Sequence, residues 1–242
     1  MKPSYIQLPE ARSTNTYLST IASTTAHGTV VYTLRQTAGR GQRGNSWESE
    51  DGKNITFSML IRPSVAPSQQ FFISEAAALA VARTLDKYIA DGGVSVKWPN
   101  DVYWHDKKIC GMLIEHSLSG GRINSSILGI GVNINQQQFL SDAPNPVSLW
   151  QIIGRETPLE EVLHTLCDTL LSLEDSLPEN AEALHREFLS RLYRGEGEHP
   201  FRSQGVVFNA SIVDVAPDGI LSLRLSDGSI RKYAFKEVEF VI

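Results

Sequence analysis

The chain has 242 residues, 41% of them hydrophobic and 20% charged, with a formal net charge of -5. That balance excludes a disordered chain, and the length suits a catalytic domain with a small appendage. An acidic net charge with no basic block at either end disfavours duplex nucleic acid, which needs a dense cationic surface.

Met1-Lys2-Pro3-Ser4-Tyr5 lacks the apolar core of a signal peptide, and no apolar run is long enough to span a bilayer, so the cytoplasm is the expected location. Tyr5–Leu8 reads as a short strand, and one of Ser13-Thr14-Asn15 as the cap of a short helix carrying Tyr17, Leu18 and Ile21. Val30–Leu34 and Ile55–Ile61 read as strands, the second closed by Pro63, with a Gly- and Arg-rich loop at 37–46 between them. Phe71–Tyr88 is the clearest helix. Val94–Lys97, Val102–Trp104, Ile109–Leu118 and Ile123–Ile134 follow as strands, with Gly120-Gly121 turning a hairpin.

After Pro144 and Pro146 the pattern becomes helical, with Thr157 as an N-cap, Pro158 at the first helical position, and a further helix over Ala181–Leu192. Residues 195–200 read as a linker. Beyond them Val206–Val215, Ile220–Leu225, Ile230–Tyr233 and Val238–Val241 alternate with the turn signals Pro217-Asp218-Gly219 and Asp227-Gly228, the pattern of a small β-barrel. Cys110 and Cys167 each stand alone in apolar stretches, as buried thiols do. The six histidines show no ligand spacing, so no protein-bound metal site is expected, and the serines show no nucleophile elbow.

Four segments could carry chemistry. Gly39-Arg40-Gly41-Gln42-Arg43-Gly44 followed by Trp47 offers exposed backbone N–H groups and guanidinium forks for phosphate or carboxylate oxygens. A flexible surface loop or a Gly/Arg nucleic-acid segment accounts for it equally well, and it is neither a Walker A loop nor a dinucleotide fingerprint. Lys97-Trp98-Pro99-Asn100-Asp101 presents polar and aromatic side chains around a fixed proline φ, which suits an adenine-nucleotide site; a strand-end turn with an ion pair is the plainer account. Lys107-Lys108 precedes Ile109–Glu115, and taken alone a solvated hairpin tip explains it. Gly129-Ile130-Gly131-Val132-Asn133 is a strand whose glycines leave room for a ligand or for another backbone.

Taken in this order and at these separations, Ser13-Thr14-Asn15, Gln36–Gly44 with Trp47, Lys97–Asp101, Lys108 with Gly111 and Glu115, and Gly129–Asn135 resemble the catalytic core of the biotin protein ligases. The likeness covers roughly residues 10 to 150, and the β-rich tail is similar to that family's SH3-like domain. The resemblance implies an α+β fold: a mixed β-sheet flanked by helices, related to class II synthetases, over residues 1–195, and a small C-terminal SH3-like β-barrel over 196–242. It also implies ATP-dependent formation of biotinyl-AMP, with Mg²⁺ bridging the triphosphate, and transfer of biotin to a lysine of a biotin carboxyl carrier protein. Family members that double as repressors carry a helix-turn-helix domain first. With the Ser-Thr-Asn motif starting at residue 13, none is expected here, and neither nucleic acid nor membrane is an expected partner. The oligomeric state is left open, a homodimer included.

Because biotin's carboxylate must meet the α-phosphate, the chemistry requires cations more than acid–base groups. By resemblance Arg40, Arg43, Lys97 and Lys108 supply them, with Asp101 serving either the metal or the acceptor lysine. Ser13, Thr14, Asn15, Gln36, Gly39, Arg40, Lys108, Gly111, Gly129 and Gly131 border biotin, while Arg43, Trp47 and Asn133 face the nucleotide. Gln42 and Asn45 stand where many members of the family have arginine. Lipoate or octanoate ligases share the fold but usually carry an Arg-Arg-x-x-Gly-Gly-Gly loop, so biotin is favoured. A non-catalytic ligand sensor would not need both lysines.

Overall fold

The computed structural model describes every residue except 43, 44 and 142. A seven-stranded sheet runs in the order β1-β2-β3-β7-β6-β5-β4. Its strands are β1 Ser4–Leu8, β2 Thr29–Thr33, β3 Ile55–Ile61, β4 Val94–Lys97, β5 Asp101–Trp104, β6 Lys107–Ser119 and β7 Arg122–Val132. β1 and β2 pair in parallel and the other neighbours antiparallel, which makes the sheet mixed.

All seven residues of β3 are buried, because both faces of the sheet are covered. On one face α1 (Thr14–Ile21) packs Leu18 against Val31, Leu60 and Ile127. The other face carries α2 (Phe71–Leu85), which packs against α4 (Leu159–Asp175) and α5 (Leu177–Ser190). With a sheet on one side and two helices on the other, α2 is buried almost all round, as its Ala-rich sequence allows. The helix ends at Leu85, short of the expected Tyr88. Between β7 and α4, Leu149–Ile153 forms α3, started by a reciprocal Ser148–Gln151 capping box.

Two helix starts differ from expectation. Thr157 does not cap α4: its N–H donates to Asn135 Oδ1 and its carbonyl accepts from Asn135 Nδ2, both at 2.9 Å, and Pro158 occupies the cap position. α5 begins at Leu177, not Ala181, since Pro178 in the first turn has no N–H to leave unpaired.

A second, five-stranded sheet has the order β11-β10-β9-β8-β12, with β8 His199–Ser203, β9 Val206–Val215, β10 Leu221–Leu225, β11 Ile230–Tyr233 and β12 Glu239–Phe240. β8 overlaps the stretch expected to be a linker and pairs with both β9 and β12. The two sheets are fastened together by Trp98 Nε1 donating to the Gly219 carbonyl (3.0 Å) and Phe71 N–H donating to the Pro217 carbonyl (3.0 Å). At the same junction His185 of α5 sits between Glu75 of α2 (2.9 Å) and Asp214 of β9 (3.3 Å). Among the described residues no helix is long and apolar enough to cross a membrane.

Candidate active site

A cleft of about 780 Å³ opens on the large sheet, floored by β6 and β7. It is bounded by the start of α1, residues 36, 40–42 and 45–48, the 97–101 turn and the segment after β7. Of the residues singled out in the sequence, Ser13, Thr14, Asn15, Gln36, Arg40 and Trp47 line its loop side. Lys97, Asp101, Lys108, Gly111, Gly129, Gly131 and Asn133 line the strand side. Gly39 does not border the cleft; a Cβ there would press on the Trp47 carbonyl, so this glycine shapes the loop. Arg43 and Gly44 lie outside the described residues.

The start of α1 is a polar knot. Ser13 is the N-cap, its Oγ accepting from Thr16 N–H. Gln36 Oε1 accepts from Thr14 N–H at 3.0 Å, and Ser58 Oγ bonds both Thr14 Oγ1 (2.7 Å) and Asn15 Oδ1 (2.5 Å). Asn15 also donates to Glu115 (2.7 Å) and to the Leu113 carbonyl (3.1 Å). Ser13, Thr14, Asn15 and Ser58 are all buried and bonded, so the knot holds a fixed array of polar edges against the cleft. Ser58 escaped the sequence reading because it sits inside an apolar strand; only its polarity in a fully buried run marks it.

The space beside Gly129 is filled by the Asn15 side chain and that beside Gly131 by the Trp47 indole, which also covers Gly111. The bare strand therefore receives protein side chains here: an amide at one glycine and a flat aromatic ring at the other. Trp47 Nε1 and Asn133 Oδ1 are both buried with no hydrogen-bond partner among the described residues. The Asn133 amide nitrogen donates to the Val147 carbonyl at 3.1 Å, which leaves that oxygen as an acceptor facing the cleft.

Among the described residues, three cations converge on the cleft. Lys108 is not in a hairpin tip: it lies one residue inside β6, with Nζ 2.7 Å from Asp101 Oδ1 and 5.7 Å from the centre of the Trp47 ring. Arg40 reaches Glu115 at 3.2 Å in a half-exposed pair. Lys97 Nζ stands over the rings of Tyr103 (5.3 Å) and Phe240 (5.0 Å), and burial pushes its pKa below the ordinary lysine value. Trp98, expected beside these groups, instead turns away into the junction with the small sheet, where it is 2% exposed and meets Phe235 edge to face. Asn100 and Phe139 also border the cleft, as does Phe235 from the far end of the chain.

Away from the cleft, His27, Glu174 and Asp175 form the one cluster with metal-ligand geometry among the described residues. His27 Nδ1 accepts the Arg62 N–H at 3.0 Å, and its Nε2 lies 3.3 Å from Glu174 and 3.5 Å from Asp175.

In fold, a mixed sheet with a small second sheet, the chain is similar to the solved structure described as the biotin protein ligase from Aquifex aeolicus in complex with biotin and ATP. The two superimpose with a TM-score of 0.81 at 24% identity, over 98% of this chain and 99% of that one. The sequence carries the assignment further. The model of the biotin/lipoate A/B protein ligase family matches residues 8–133, and the chain belongs to that family. Among its relatives, the biotin--[acetyl-CoA-carboxylase] ligase of Paracoccus denitrificans is 31% identical over 164 residues, 66% of this chain and 68% of that protein. The bifunctional ligase/repressor BirA of Bacillus spizizenii is 38% identical over 112 residues. That match spans 46% of this chain and only 34% of the Bacillus protein.

Proposed function

We propose that the chain is an ATP-dependent biotin protein ligase, which joins biotin to AMP with release of pyrophosphate and then passes the biotinyl group to a lysine of a biotin carboxyl carrier domain. The observation that carries this reading is the convergence of Lys108, Lys97 and Arg40 on one cleft. Attack of a carboxylate on the α-phosphorus brings two anions together, and fixed cations in a partly dry site lower that barrier most. Lys108, steadied by Asp101, is the candidate for the carboxylate and the α-phosphate; Arg40 would change partner from Glu115 to the ligand.

Asn15, Gln36 and their bonded neighbours offer polar edges to the ureido ring, with Gly111, Gly129 and Gly131 along the bicyclic ring and tail. Asn133 Oδ1 suits the exocyclic amine of adenine, and Trp47 its face. Mg²⁺ would arrive on the triphosphate, held mainly by phosphate oxygens and water, because Asp101 is already engaged by Lys108. Residues 1–195 would form the catalytic domain and 196–242 the C-terminal one. ATP dependence and two free, buried cysteines suit the cytoplasm.

Pyrophosphate release from ATP and Mg²⁺ in the presence of biotin, and none with lipoate or octanoate, is the expected result. The reverse preference would make the chain a ligase for the other acids of its family.

A further inference from the structure

Residues 45–48 and the segment after β7 form facing walls of the cleft, and one carboxylate joins them. Glu48 follows Trp47 directly, and its Oε1 accepts from Leu140 N–H (2.8 Å) and from Gln136 Nε2 (3.0 Å). Its Oε2 accepts from Ser141 N–H at 2.8 Å. Gln136 is 1% exposed and returns the connection, its Oε1 accepting from Glu50 N–H at 3.0 Å and from Asn54 Nδ2. Trp47, Phe139 and Ser141 all face the cleft, so the groups tied together are those that would touch a ligand from both sides. Burial alone would push the Glu48 carboxyl up; the bonds from Ser141, Leu140 and Gln136 outweigh it and hold the group below the ordinary glutamate value.

We propose that Glu48 is a positioning residue that couples the Trp47 loop to the 136–141 segment, so that the two walls move as one unit over a bound nucleotide. The proposal rests on the reading of the cleft as a biotin and ATP site. A carboxylate does what an apolar residue at 48 could not: it gathers three N–H donors, two of them from backbone that forms no part of a helix or sheet.

The test compares wild type with Glu48→Ala and Glu48→Gln. Biotinyl-AMP is formed from biotin, ATP and Mg²⁺, and its dissociation is followed by dilution into excess biotin and ATP analogue. Losing charge-assisted bonds to Glu48 should speed release by roughly tenfold or more in Glu48→Ala, with Glu48→Gln, which keeps one acceptor oxygen, in between. Hydrogen exchange on the ligand-free protein is the second readout: in Glu48→Ala the 45–50 and 136–141 segments should exchange faster together. A lower Tm with an unchanged adenylate lifetime would make the contact merely structural and overturn the proposal. Faster exchange in one segment alone would overturn it too, whichever acid the cleft binds. Failure of wild type to use biotin would refute the functional reading instead, and the exchange data would still decide for or against coupling.

Discussion

Lys108 Nζ stands 2.7 Å from the Asp101 carboxylate, across the β5–β6 pair, where both side chains are mostly withdrawn from solvent. This contact turns a lysine that the sequence alone would leave in water into a group aimed at the cleft. Removing either partner leaves the other buried and uncompensated, which costs more than the loss of an exposed pair. Lys108→Ala should keep the fold, at a loss of stability larger than that of an exposed pair because Asp101 stays mostly buried, and lower adenylate formation by about two decades or more. Near-normal pyrophosphate release from that variant would remove Lys108 from the chemistry.

Arg40 and Gln42 separate ligand contact from loop order. The Arg40–Glu115 pair is half exposed, so its loss should scarcely change stability. Arg40→Ala should nevertheless cost about one to two decades in adenylation, the worth of a charge-assisted hydrogen bond to the ligand of roughly 1.5–3 kcal/mol. Gln42→Ala should cost about 1 kcal/mol or less. Pyrophosphate release and adenylate dissociation, measured for both variants at one salt concentration, make the comparison. Equal defects would mean that the loop acts only as a lid.

Gly131 has no room for a side chain, because the Trp47 indole lies against it. Gly131→Ala must displace either the ring or the strand, at a cost of about 1–3 kcal/mol typical of overpacking. If the ring yields, Tm falls by several degrees, the KM for ATP rises and tryptophan emission shifts. Wild-type KM together with wild-type emission would contradict the packing described here.

Glu75 gives stability a pH dependence. Burial pushes its carboxyl up from 4.5 to about 7, against the hydrogen bond and charge of His185, which lower it, while Asp214 adds to the rise. The folded state therefore holds a proton that the unfolded state has released between those two values. Stability from this group is complete below pH 4.5, declines as pH rises through that window, and is lost above about 7. Glu75→Gln carries no titrating charge, so its Tm should gain on that of wild type between pH 5 and pH 8. A Tm difference that stays constant with pH would contradict the shift.

Much of the site was legible because its residue types are dictated by local needs. Ser13 caps a helix, the glycines of β7 admit Asn15 and Trp47, and Lys108 and Asp101 meet through strand pairing. What the sequence hid depends on distant contacts. Trp98 sits between two residues of the cleft, yet its indole is claimed by the Gly219 carbonyl and Phe235, more than a hundred positions along the chain. Lys97 meets Phe240 in the same way. β8 was missed because His199-Pro200-Phe201-Arg202-Ser203 contains no β-branched residue and begins beside a proline; pairing on both sides overrides that weak propensity. Glu48 follows a recognisable tryptophan, but its partners are backbone amides that no side-chain pattern announces.

The central claim is that this cleft activates biotin for transfer to a protein lysine. Its most direct test is incubation of the chain with ATP, Mg²⁺, biotin and a biotin carboxyl carrier domain, followed by intact-mass measurement of the carrier. The account predicts a single biotinyl addition that requires ATP and disappears when the carrier's acceptor lysine is replaced. An unmodified carrier in the presence of active chain, or addition of lipoyl where biotinyl fails, would contradict it.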